Sequence, residues 1–370
     1  MPKLIHCADI HLDTPFHAGS AEQSAMARRE LRRVFSSVIQ YIKNEGIDVA
    51  LLAGDIFDST SVTADTVSFF KGAMASCPDC AFVIAPGNHD PYTAKSVYER
   101  GGFSENVFIF DSNELSYFDF PKINLRVYGY AFTSSSLDVC PFAGKTVDRD
   151  GKINILCAHG DVGNPLSPYC PISEKDIDGS GFDYCAFGHI HLSDDVKCAG
   201  NVPYAYSGCL SGRDFGETGK KGAIVIDIND GKLSFERKYF SKYDYECATC
   251  DLSSITDISD IREKVGKTIS DYNENTLLRV ELIGYLSVDT IIDVAALTDE
   301  LKGGVYYLEI IDSTLPMLNT ESLEKDVTIV GAFFRELKPI LENGTPDERR
   351  TAAKALRVGL SALRGDDLPL

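Results

Sequence analysis

Residues 49–58 read Val-Ala-Leu-Leu-Ala-Gly-Asp-Ile-Phe-Asp, and their pattern is the clearest indication of the fold class. A short apolar run is followed by a glycine and two acidic residues. Such a run, without polar alternation, is typical of a strand that is buried on both faces. A carboxylate directly after the strand lies at the edge of the sheet, where open α/β sheets have their functional sites. We therefore predict a layered α/β fold with Asp55 at a functional edge.

The same pattern, an apolar run that ends in polar residues, recurs along the first 240 residues. Buried strands are predicted at Leu4–Ala8, Val49–Ala53, Ala81–Ala85, Ile153–Ala158 and Tyr184–Phe187, and helices at Ala21–Glu45 and Ala64–Ser76. Further strands are predicted at Glu114–Phe118, Leu125–Tyr130, Tyr204–Ser207, Ala223–Ile228 and Leu233–Tyr239. Asn229-Asp230-Gly231 is the turn signal of a β-hairpin. These runs predict two packed sheets flanked by helices, an αββα sandwich.

Five polar motifs follow the apolar runs directly. They are Asp9-Ile10-His11, Gly54-Asp55-Ile56-Phe57-Asp58, Gly87-Asn88-His89-Asp90, His159-Gly160-Asp161 and Gly188-His189-Ile190-His191. Each motif alone would fit a polar turn, but five of the seven histidines fall within the set. Oxygen donors from Asp and Asn, combined with imidazoles, suit Mn²⁺, Fe or Zn²⁺. The joint pattern therefore favours a metal centre.

The last motif indicates that the centre holds two metals. His189 and His191 are predicted to alternate on an extended segment, so their side chains would point apart and serve different metals. A shared carboxylate would lie between the two. Two metals about 3.5–4 Å apart can generate hydroxide and hold the attacking and leaving oxygens of an in-line displacement.

Composition limits the function classes. The chain has 370 residues and a net charge of −19, which disfavours unaided binding to nucleic acid because that affinity comes mainly from Lys and Arg. Contact with DNA would need metal ions, a local basic patch or a basic partner. No apolar run is long enough to span a bilayer, and the predicted first strand leaves no room for a signal peptide. We expect a cytoplasmic protein whose eleven cysteines are reduced, unbridged thiols. A zinc site from Cys77/Cys80 and Cys247/Cys250 is the disfavoured alternative.

A change of composition near Lys242 predicts a domain boundary. Residues 245–312 carry 5 basic and 14 acidic side chains. Their predicted elements are a helix at Ile258–Tyr272, a strand at Leu277–Ile283, a helix at Val288–Thr298 and a strand at Val305–Ile311. We predict a catalytic domain at 1–242, a small α/β capping domain at 243–313 and a helical segment at 314–370. In the tail, helical spacing relates Val330, Phe333, Phe334, Leu337 and Leu341, and Thr345-Pro346-Asp347-Glu348 is a capping box.

The order and spacing of the five motifs resemble the calcineurin-like metallophosphoesterases. Asp9-Ile10-His11-Leu12, Gly188-His189-Ile190-His191, the small α/β segment and the helical tail resemble the SbcD-type DNA repair nucleases of that superfamily. Asp13-Thr14-Pro15-Phe16 and Gly212-Arg213-Asp214-Phe215-Gly216-Glu217 look most like the YhaO-like subgroup. The motifs cover residues 9–217, whereas the likeness beyond residue 240 rests on layout alone.

The resemblance implies a role for each motif residue. One metal would be bound by Asp9, His11 and His191, and the other by Asn88, His159 and His189. Asp55 would bridge the two metals. His89 would not bind metal but would act as the general acid that protonates the departing sugar oxygen, while a metal-bridging hydroxide attacks the phosphate. Mn²⁺ is the first expectation, with Fe or Zn²⁺ as alternatives.

Three other residues are candidates for the site. Asp58 stands where eukaryotic and archaeal relatives have histidine and where phosphatases of the superfamily have aspartate, and it is predicted to orient His89. Arg213 is either a phosphate contact or the partner of an acidic neighbour, Asp214 or Glu217. Tyr92 would either stack on the end of a DNA strand or pack within its own loop. The basic run Arg28, Arg29, Arg32 and Arg33 is either a solvated helix face or a DNA contact.

Three functions remain open from the sequence. The first is a Mn²⁺-dependent DNA exonuclease or endonuclease in DNA repair, working with an SMC-like coiled-coil ATPase that docks on the tail helices and forming the family's homodimer. The second is a phosphodiesterase or phosphatase for a small molecule or nucleotide, which the net acidity and Asp58 favour. The third is a low-activity scaffold bound to the ATPase, which would not need the complete donor set.

Overall fold

A computed structural model of the chain describes residues 2–15, 21–253, 255, 257–287, 290–317 and 320–364. Phe16 of the subgroup motif lies outside these residues. The chain divides into two compact units, Met1–Lys242 and Tyr243–Leu370. The finer division of the second unit into a capping domain and a tail stays a prediction.

The first unit is built from short strands and a few helices. Its strands are β1 (Lys3–Cys7), β2 (Val49–Leu52), β3 (Ala81–Ile84), β4 (Val107–Ile109), β5 (Ser116–Phe120), β6 (Leu125–Gly129), β7 (Ile153–His159), β8 (Asp161–Val162), β9 (Pro171–Ile172), β10 (Tyr184–Gly188), β11 (Lys197–Ala199), β12 (Val202–Tyr206), β13 (Gly222–Asn229) and β14 (Lys232–Tyr239). Its helices are α1 (Ala21–Glu45), α2 (Ala64–Ala75) and α3 (Glu174–Asp178), with a 3₁₀ turn at Pro121–Ile123.

The strands form two six-stranded sheets. The first sheet has the order β14-β13-β1-β2-β3-β4 and the second β11-β12-β10-β7-β6-β5. Strands β1 to β4 are parallel to one another, as are β6, β7, β10 and β12, while the outer strands β14, β13, β11 and β5 pair antiparallel. Because the carboxyl ends of parallel strands share one edge, each sheet gathers the residues that follow its central strands.

The sheets pack face to face, and alternate residues of β1 show why. Leu4 points into the layer between the sheets, where it meets residues of β7 and β10. Ile5 points to the other face of the first sheet, which α1 and α2 cover with buried side chains such as Phe35 and Phe70. Both faces of the strand are therefore apolar, and burial of each large side chain contributes about 1.5–3 kcal/mol. The predicted two-sheet α/β sandwich flanked by helices is confirmed.

In the first unit, element boundaries follow the predictions to within two residues. The hairpin predicted at Asn229-Asp230-Gly231 joins β13 to β14, and Asp230 and Gly231 have φ of 50° and 77°, as a tight hairpin turn requires. Strand β5 begins two residues later than predicted, because Glu114 lies in an exposed turn. Nine of the eleven cysteines are buried, and the expectation that they are reduced, unbridged thiols stays a prediction.

The second unit contains a parallel sheet of order β15-β16-β18 and a helical tail. Its elements are β15 (Asp244–Asp251), α4 (Ile258–Ile269), β16 (Thr276–Ile283), β17 (Tyr285–Leu286), α5 (Val294–Leu301), a 3₁₀ turn (Lys302–Gly304), β18 (Tyr307–Asp312), β19 (Leu315–Pro316), α6 (Thr320–Lys325), α7 (Ile329–Asn343) and α8 (Pro346–Arg364). Strand β15 was not predicted. Helix α5 begins at Val294, where Asp293 caps it by accepting a hydrogen bond from Ala296 N. The predicted start of this helix, Val288, lies outside the described residues.

The tail forms as the sequence indicates. Phe334 of α7 is buried with Leu356 and Leu360 of α8. The capping box at the start of α8 is confirmed: Thr345 N donates to Glu348 Oε2 at 2.8 Å, and Glu348 N donates to Thr345 Oγ1 at 3.4 Å. In the part of the chain that the structure describes, every helix is too short or too polar to cross a lipid bilayer.

Candidate metal centre

The predicted ligands come together at the carboxyl ends of the central strands of both sheets. Asp9 follows β1, Asp55 follows β2 and Asn88 lies just beyond β3, all in the first sheet. His159 ends β7 and His189 follows β10 in the second sheet. Because the sheets are packed against each other, these five side chains approach one another from two layers.

One group of donors consists of Asp9, His11 and His191. The His11 Nε2 and His191 Nε2 atoms are 3.1 Å apart, and His191 Nε2 lies 3.8 Å from Asp9 Oδ1. All three ligand atoms lie within 4.8 Å of one another. Asp9 and His11 are buried, whereas His191 is partly exposed. This geometry fits a single cation, which solvent can approach from the side of His191.

A second group consists of Asn88, His159 and His189. His159 Nε2 lies 2.9 Å from Asn88 Oδ1. The rings of His159 and His189 meet edge to face with centroids 5.3 Å apart, and the centroid of the Tyr169 ring lies 5.0 Å from that of His189. Donor atoms of the types predicted for the second cation are therefore neighbours.

Asp55 lies between the two groups. Its Oδ2 atom is 3.9 Å from His11 Nε2 and 3.4 Å from His159 Nε2. Its Oδ1 accepts a hydrogen bond from the main-chain N–H of His89 at 2.9 Å, which fixes the carboxylate. A Cβ atom at Gly87 would lie 2.2 Å from Oδ1, so only glycine leaves room for Asp55 in this position. One carboxylate thus faces both donor groups, as a bridging ligand must.

The protonation pattern shows that the imidazoles fit cations. His11 Nδ1 contacts the Asp58 carboxylate at 3.1 Å, and His159 Nδ1 contacts the main-chain carbonyl of Ala53 at 3.0 Å. Both partners are acceptors, so each Nδ1 carries the proton and each Nε2 presents a lone pair. The lone pairs of His11 and His191, 3.1 Å apart, repel each other in the absence of a positive charge between them. The donor set therefore fits divalent cations.

Burial adjusts the charges of the donors. It lowers the pKa of His11 to about 4 and that of His189 to about 4, so both imidazoles are neutral at pH 7 and able to bind metal. Burial, together with the neighbouring Asp55 charge, raises the pKa of Asp9 well above its usual range. A cation beside Asp9 favours the ionised carboxylate, which is the form that binds metal.

The ligand-bearing loops have an unusual backbone. Asp9, His11 and Asp55 have φ of 50°, 48° and 51°, in the left-handed region that residues other than glycine seldom adopt. Hydrogen bonds hold these loops together, with Asp9 N donating to Gly54 O at 3.1 Å and His11 N to Asp55 O at 3.0 Å. His189 has φ of 108°, so the prediction of a regular extended segment there is wrong. A bend at this residue, rather than strand alternation, directs His189 and His191 to different groups.

Asp58 does not hold His89 in the way predicted. Its carboxylate contacts His11 Nδ1 at 3.1 Å and accepts from Arg213 Nη1 at 3.2 Å. His89 Nδ1 contacts the main-chain carbonyl of Asp58 instead, at 3.0 Å. The carboxylate is drawn to the Arg213 guanidinium and the buried imidazole of His11, and a carbonyl acceptor is left for His89. Asp58 thus orients a ligand, and its backbone orients His89.

Arg213 and Glu217 support His191 from behind. Glu217 Oε1 lies 2.6 Å from His191 Nδ1, and Arg213 Nη2 donates to the same carboxylate at 2.6 Å. Burial alone would raise the pKa of Glu217, but hydrogen bonds from His191 and Arg213 outweigh it and lower the pKa. Arg213 is therefore engaged by Glu217 and Asp58, which is the ion-pair alternative left open by the sequence. Tyr92 donates its hydroxyl to Glu99 at 2.6 Å and packs against the core.

His89 differs from the ligands in exposure and in surroundings. It is exposed, and its ring centroid lies 5.0 Å from that of His11. Since Nδ1 is held by Asp58 O, Nε2 is the atom available to a substrate. His89 thus stands beside the donor groups with a free nitrogen, as a proton donor to a bound ester would.

Asp90 has a role that the sequence did not reveal. Its carboxylate is 3% exposed and accepts hydrogen bonds from Ile56 N at 2.8 Å, Phe57 N at 3.0 Å, Gly87 N at 2.9 Å and the Tyr98 hydroxyl at 2.6 Å. It therefore joins the loop of Asp55 to the loop that carries Asn88. Its place next to His89 in the motif was the available signal.

Fold and site together define a dinuclear metallophosphoesterase, with a cluster of histidines and aspartates suited to two divalent cations. The sequence model of the calcineurin-like phosphoesterases matches residues 2–193, and the chain belongs to this family.

The individual proteins that resemble this chain share less than a third of its residues in the matched regions. The chain is 29% identical over 276 residues to the uncharacterized metallophosphoesterase YhaO of Bacillus subtilis (strain 168), a match that covers 72% of this chain and 67% of that protein. A dimetal phosphatase from Danio rerio superposes with a TM-score of 0.43 at 12% identity, over 64% of this chain and 96% of that one. The protein TT1561 of Thermus thermophilus gives a TM-score of 0.40 at 9% identity, over 64% of this chain and 98% of that one.

Proposed function

We propose that this protein hydrolyses phosphodiester bonds of DNA, with two divalent cations held by the seven donors described above. The proposal of a hydrolytic activity rests on the position of Asp55. Its Oδ2 atom lies 3.9 Å from His11 Nε2 in one donor group and 3.4 Å from His159 Nε2 in the other. Mn²⁺ is the proposed metal because mixed imidazole and oxygen donors suit it, with Fe and Zn²⁺ as alternatives.

When bound, the two cations supply a nucleophile at neutral pH and neutralise charge on the phosphate. The chain's own residues orient the reaction. Asp55 faces a histidine of each donor group, and Asn88 contacts His159 within the second group. The N–H group at Nδ1 of His89 donates a hydrogen bond to Asp58 O. The proton at Nε2 is the one that His89 transfers to the departing oxygen. Glu217 and Asp58 fix the rings of His191 and His11 through their Nδ1 atoms.

The choice of DNA as substrate rests on the likeness of the motifs to the SbcD-type nucleases. By the same likeness we propose a cytoplasmic role in DNA repair, an SMC-like ATPase partner that docks on the helices of residues 314–370, and a homodimer. The second candidate is a phosphatase or phosphodiesterase for a small ester. The net charge of −19 favours it, because repulsion opposes the approach of a polyanion.

One assay separates the two candidates. The purified full-length chain is incubated with Mn²⁺ and with single-stranded DNA, double-stranded DNA, bis-p-nitrophenyl phosphate or a nucleoside monophosphate. Release of nucleotides from DNA supports the nuclease. Hydrolysis of the small esters with intact DNA, also after addition of the ATPase partner, would refute it and leave the second candidate.

Two histidine variants test the assigned roles. The His89→Gln variant is expected to keep both metals in elemental analysis while kcat falls by about 10²–10⁴-fold, as for loss of a general acid. The matched His159→Gln variant is expected to lose metal, because the Nε2 atom of His159 is one of the proposed metal ligands. Loss of metal from His89→Gln would contradict the role given to His89.

A further inference from the structure

A cavity of about 270 Å³ lies against one face of α1. It is lined by Asp13, Ala25, Arg28, Arg29 and Arg32, none of which is a donor in the metal centre. Arg28 and Arg32 are one helical turn apart, and Arg29 precedes Arg32 by three residues, so the three guanidinium groups share one face of the helix. The cavity is therefore predominantly basic.

The charges in this cavity are unevenly compensated. The Asp13 carboxylate accepts hydrogen bonds from Thr63 N at 2.7 Å and Thr66 Oγ1 at 2.6 Å, and Arg32 donates to Asp65 at 2.5 Å. Arg28 and Arg29 are exposed. Neither forms an ion pair with any residue that the structure describes. Two adjacent uncompensated cations in a chain of net charge −19 create a local site that attracts anions.

The loop after β1 links this cavity to the metal centre. Asp13 in the cavity wall is two residues beyond the donor His11, so their Cα atoms are at most about 7.6 Å apart. Thr14 reinforces the link, because its hydroxyl contacts His11 O at 2.7 Å and Asp58 Oδ1 at 3.2 Å. The cavity and the metal centre therefore share the loop that carries His11, Asp13 and Thr14.

We propose that Arg28 and Arg29 bind a backbone phosphate of a nucleotide chain while another phosphate of the same strand lies at the metal centre. This subsite rests on the proposed function, and it supplies the local basic patch that an acidic chain needs to hold DNA. Guanidinium groups suit phosphate because they offer paired donors in a plane. A small ester with a single phosphate leaves the two arginines unused, so the subsite favours a strand over a small ester.

The test compares two double variants of the full-length chain. Arg28→Gln/Arg29→Gln removes the subsite. Arg33→Gln/Lys43→Gln removes the same charge from the same helix, where Arg33 pairs with Glu30 at 2.6 Å and Lys43 is exposed outside the cavity. Binding of a fluorescein-labelled 12-nucleotide single strand is measured by anisotropy at several salt concentrations with the metals chelated. KM and kcat are measured with Mn²⁺ on the same strand and on bis-p-nitrophenyl phosphate.

The subsite variant is expected to bind the strand about tenfold more weakly than the control, with a slope of log Kd against log salt smaller by about 0.7 for each lost contact. KM for the strand rises, while kcat and KM for bis-p-nitrophenyl phosphate match those of the control. Equal strand binding by the two double variants would overturn the subsite and leave the proposed function standing. A wild-type chain that hydrolyses the small ester but neither binds nor cleaves the strand would overturn both.

Discussion

Asp90 ties together the two loops that carry Asp55 and Asn88, so its replacement by asparagine is expected to destabilise the first unit. The two oxygens of Asp90 accept four hydrogen bonds, three of them from main-chain N–H groups. Asparagine has the same shape but only one acceptor atom. Its oxygen would keep the three donors on the Oδ2 side, and its NH₂ group would face the N–H of Gly87.

The magnitude follows from these contacts. A buried N–H left without an acceptor costs about 1–3 kcal/mol, and the remaining bonds weaken because their acceptor has lost its charge. We expect a loss of about 3 kcal/mol in the free energy of unfolding, which lowers the melting temperature of a unit of this size by about 6–12 °C. Affinity for the metals falls as well, because the loop of Asp55 loses its tie to the loop of Asn88.

The assay is thermal unfolding of the full-length chain followed by circular dichroism, with elemental analysis of bound metal. The control is Asp111→Asn, which removes the same charge from an exposed position and should change stability by less than about 0.5 kcal/mol. If Asp90→Asn melts at the temperature of the control, the buried carboxylate does not hold the two loops together.

Two further predictions concern the sheets. Burial lowers the pKa of His6 to about 3, against 6.5 in the unfolded chain, so the unfolded state binds the proton more readily. The contribution of His6 to stability is therefore complete above about pH 6.5 and is lost progressively as the pH falls to about 3. His6→Gln, which lacks this proton uptake, should show a flatter pH dependence in urea unfolding, and parallel curves would count against the assignment. Gly188→Ala should cost about 3 kcal/mol and reduce activity, because its Cβ would lie 2.0 Å from Ala53 O at the edge of the metal centre. The control Gly72→Ala, with no atom within 4 Å of its Cβ, should leave the melting temperature unchanged or higher.

The sequence predicted the sandwich well because its strands are buried on both faces. Val49–Leu52 and Tyr184–Gly188 are apolar throughout, so their position and type are visible without tertiary information. Strand β15 was missed because its residues, Asp-Tyr-Glu-Cys-Ala-Thr-Cys-Asp, are polar or partly exposed at most positions. Only pairing with β16 makes it a strand, and that pairing is a tertiary contact.

The same distinction holds for the metal centre. The donors could be predicted as a set, because each follows an apolar strand. The contacts behind them could not, since Glu217 reaches His191 across 26 residues and Asp58 reaches His11 across 47. The left-handed backbone at Asp9 and Asp55 is equally invisible in the sequence, because it is imposed by the crossing of two loops.

The place of β1 in its sheet affects how the protein can be synthesised. This strand lies between β2 and β13, yet the ribosome delivers β1 first and β13 (Gly222–Asn229) only near the end of the unit. At about 5–20 residues per second, the nascent chain waits about 10–40 s for its missing neighbour. Throughout that interval the main-chain N–H and C=O groups on one edge of β1 have no strand to pair with, and such an edge is prone to aggregation. Expression of fragments that stop before Gly222 should therefore yield inclusion bodies, and slower growth at low temperature with added chaperones should improve recovery of the intact chain.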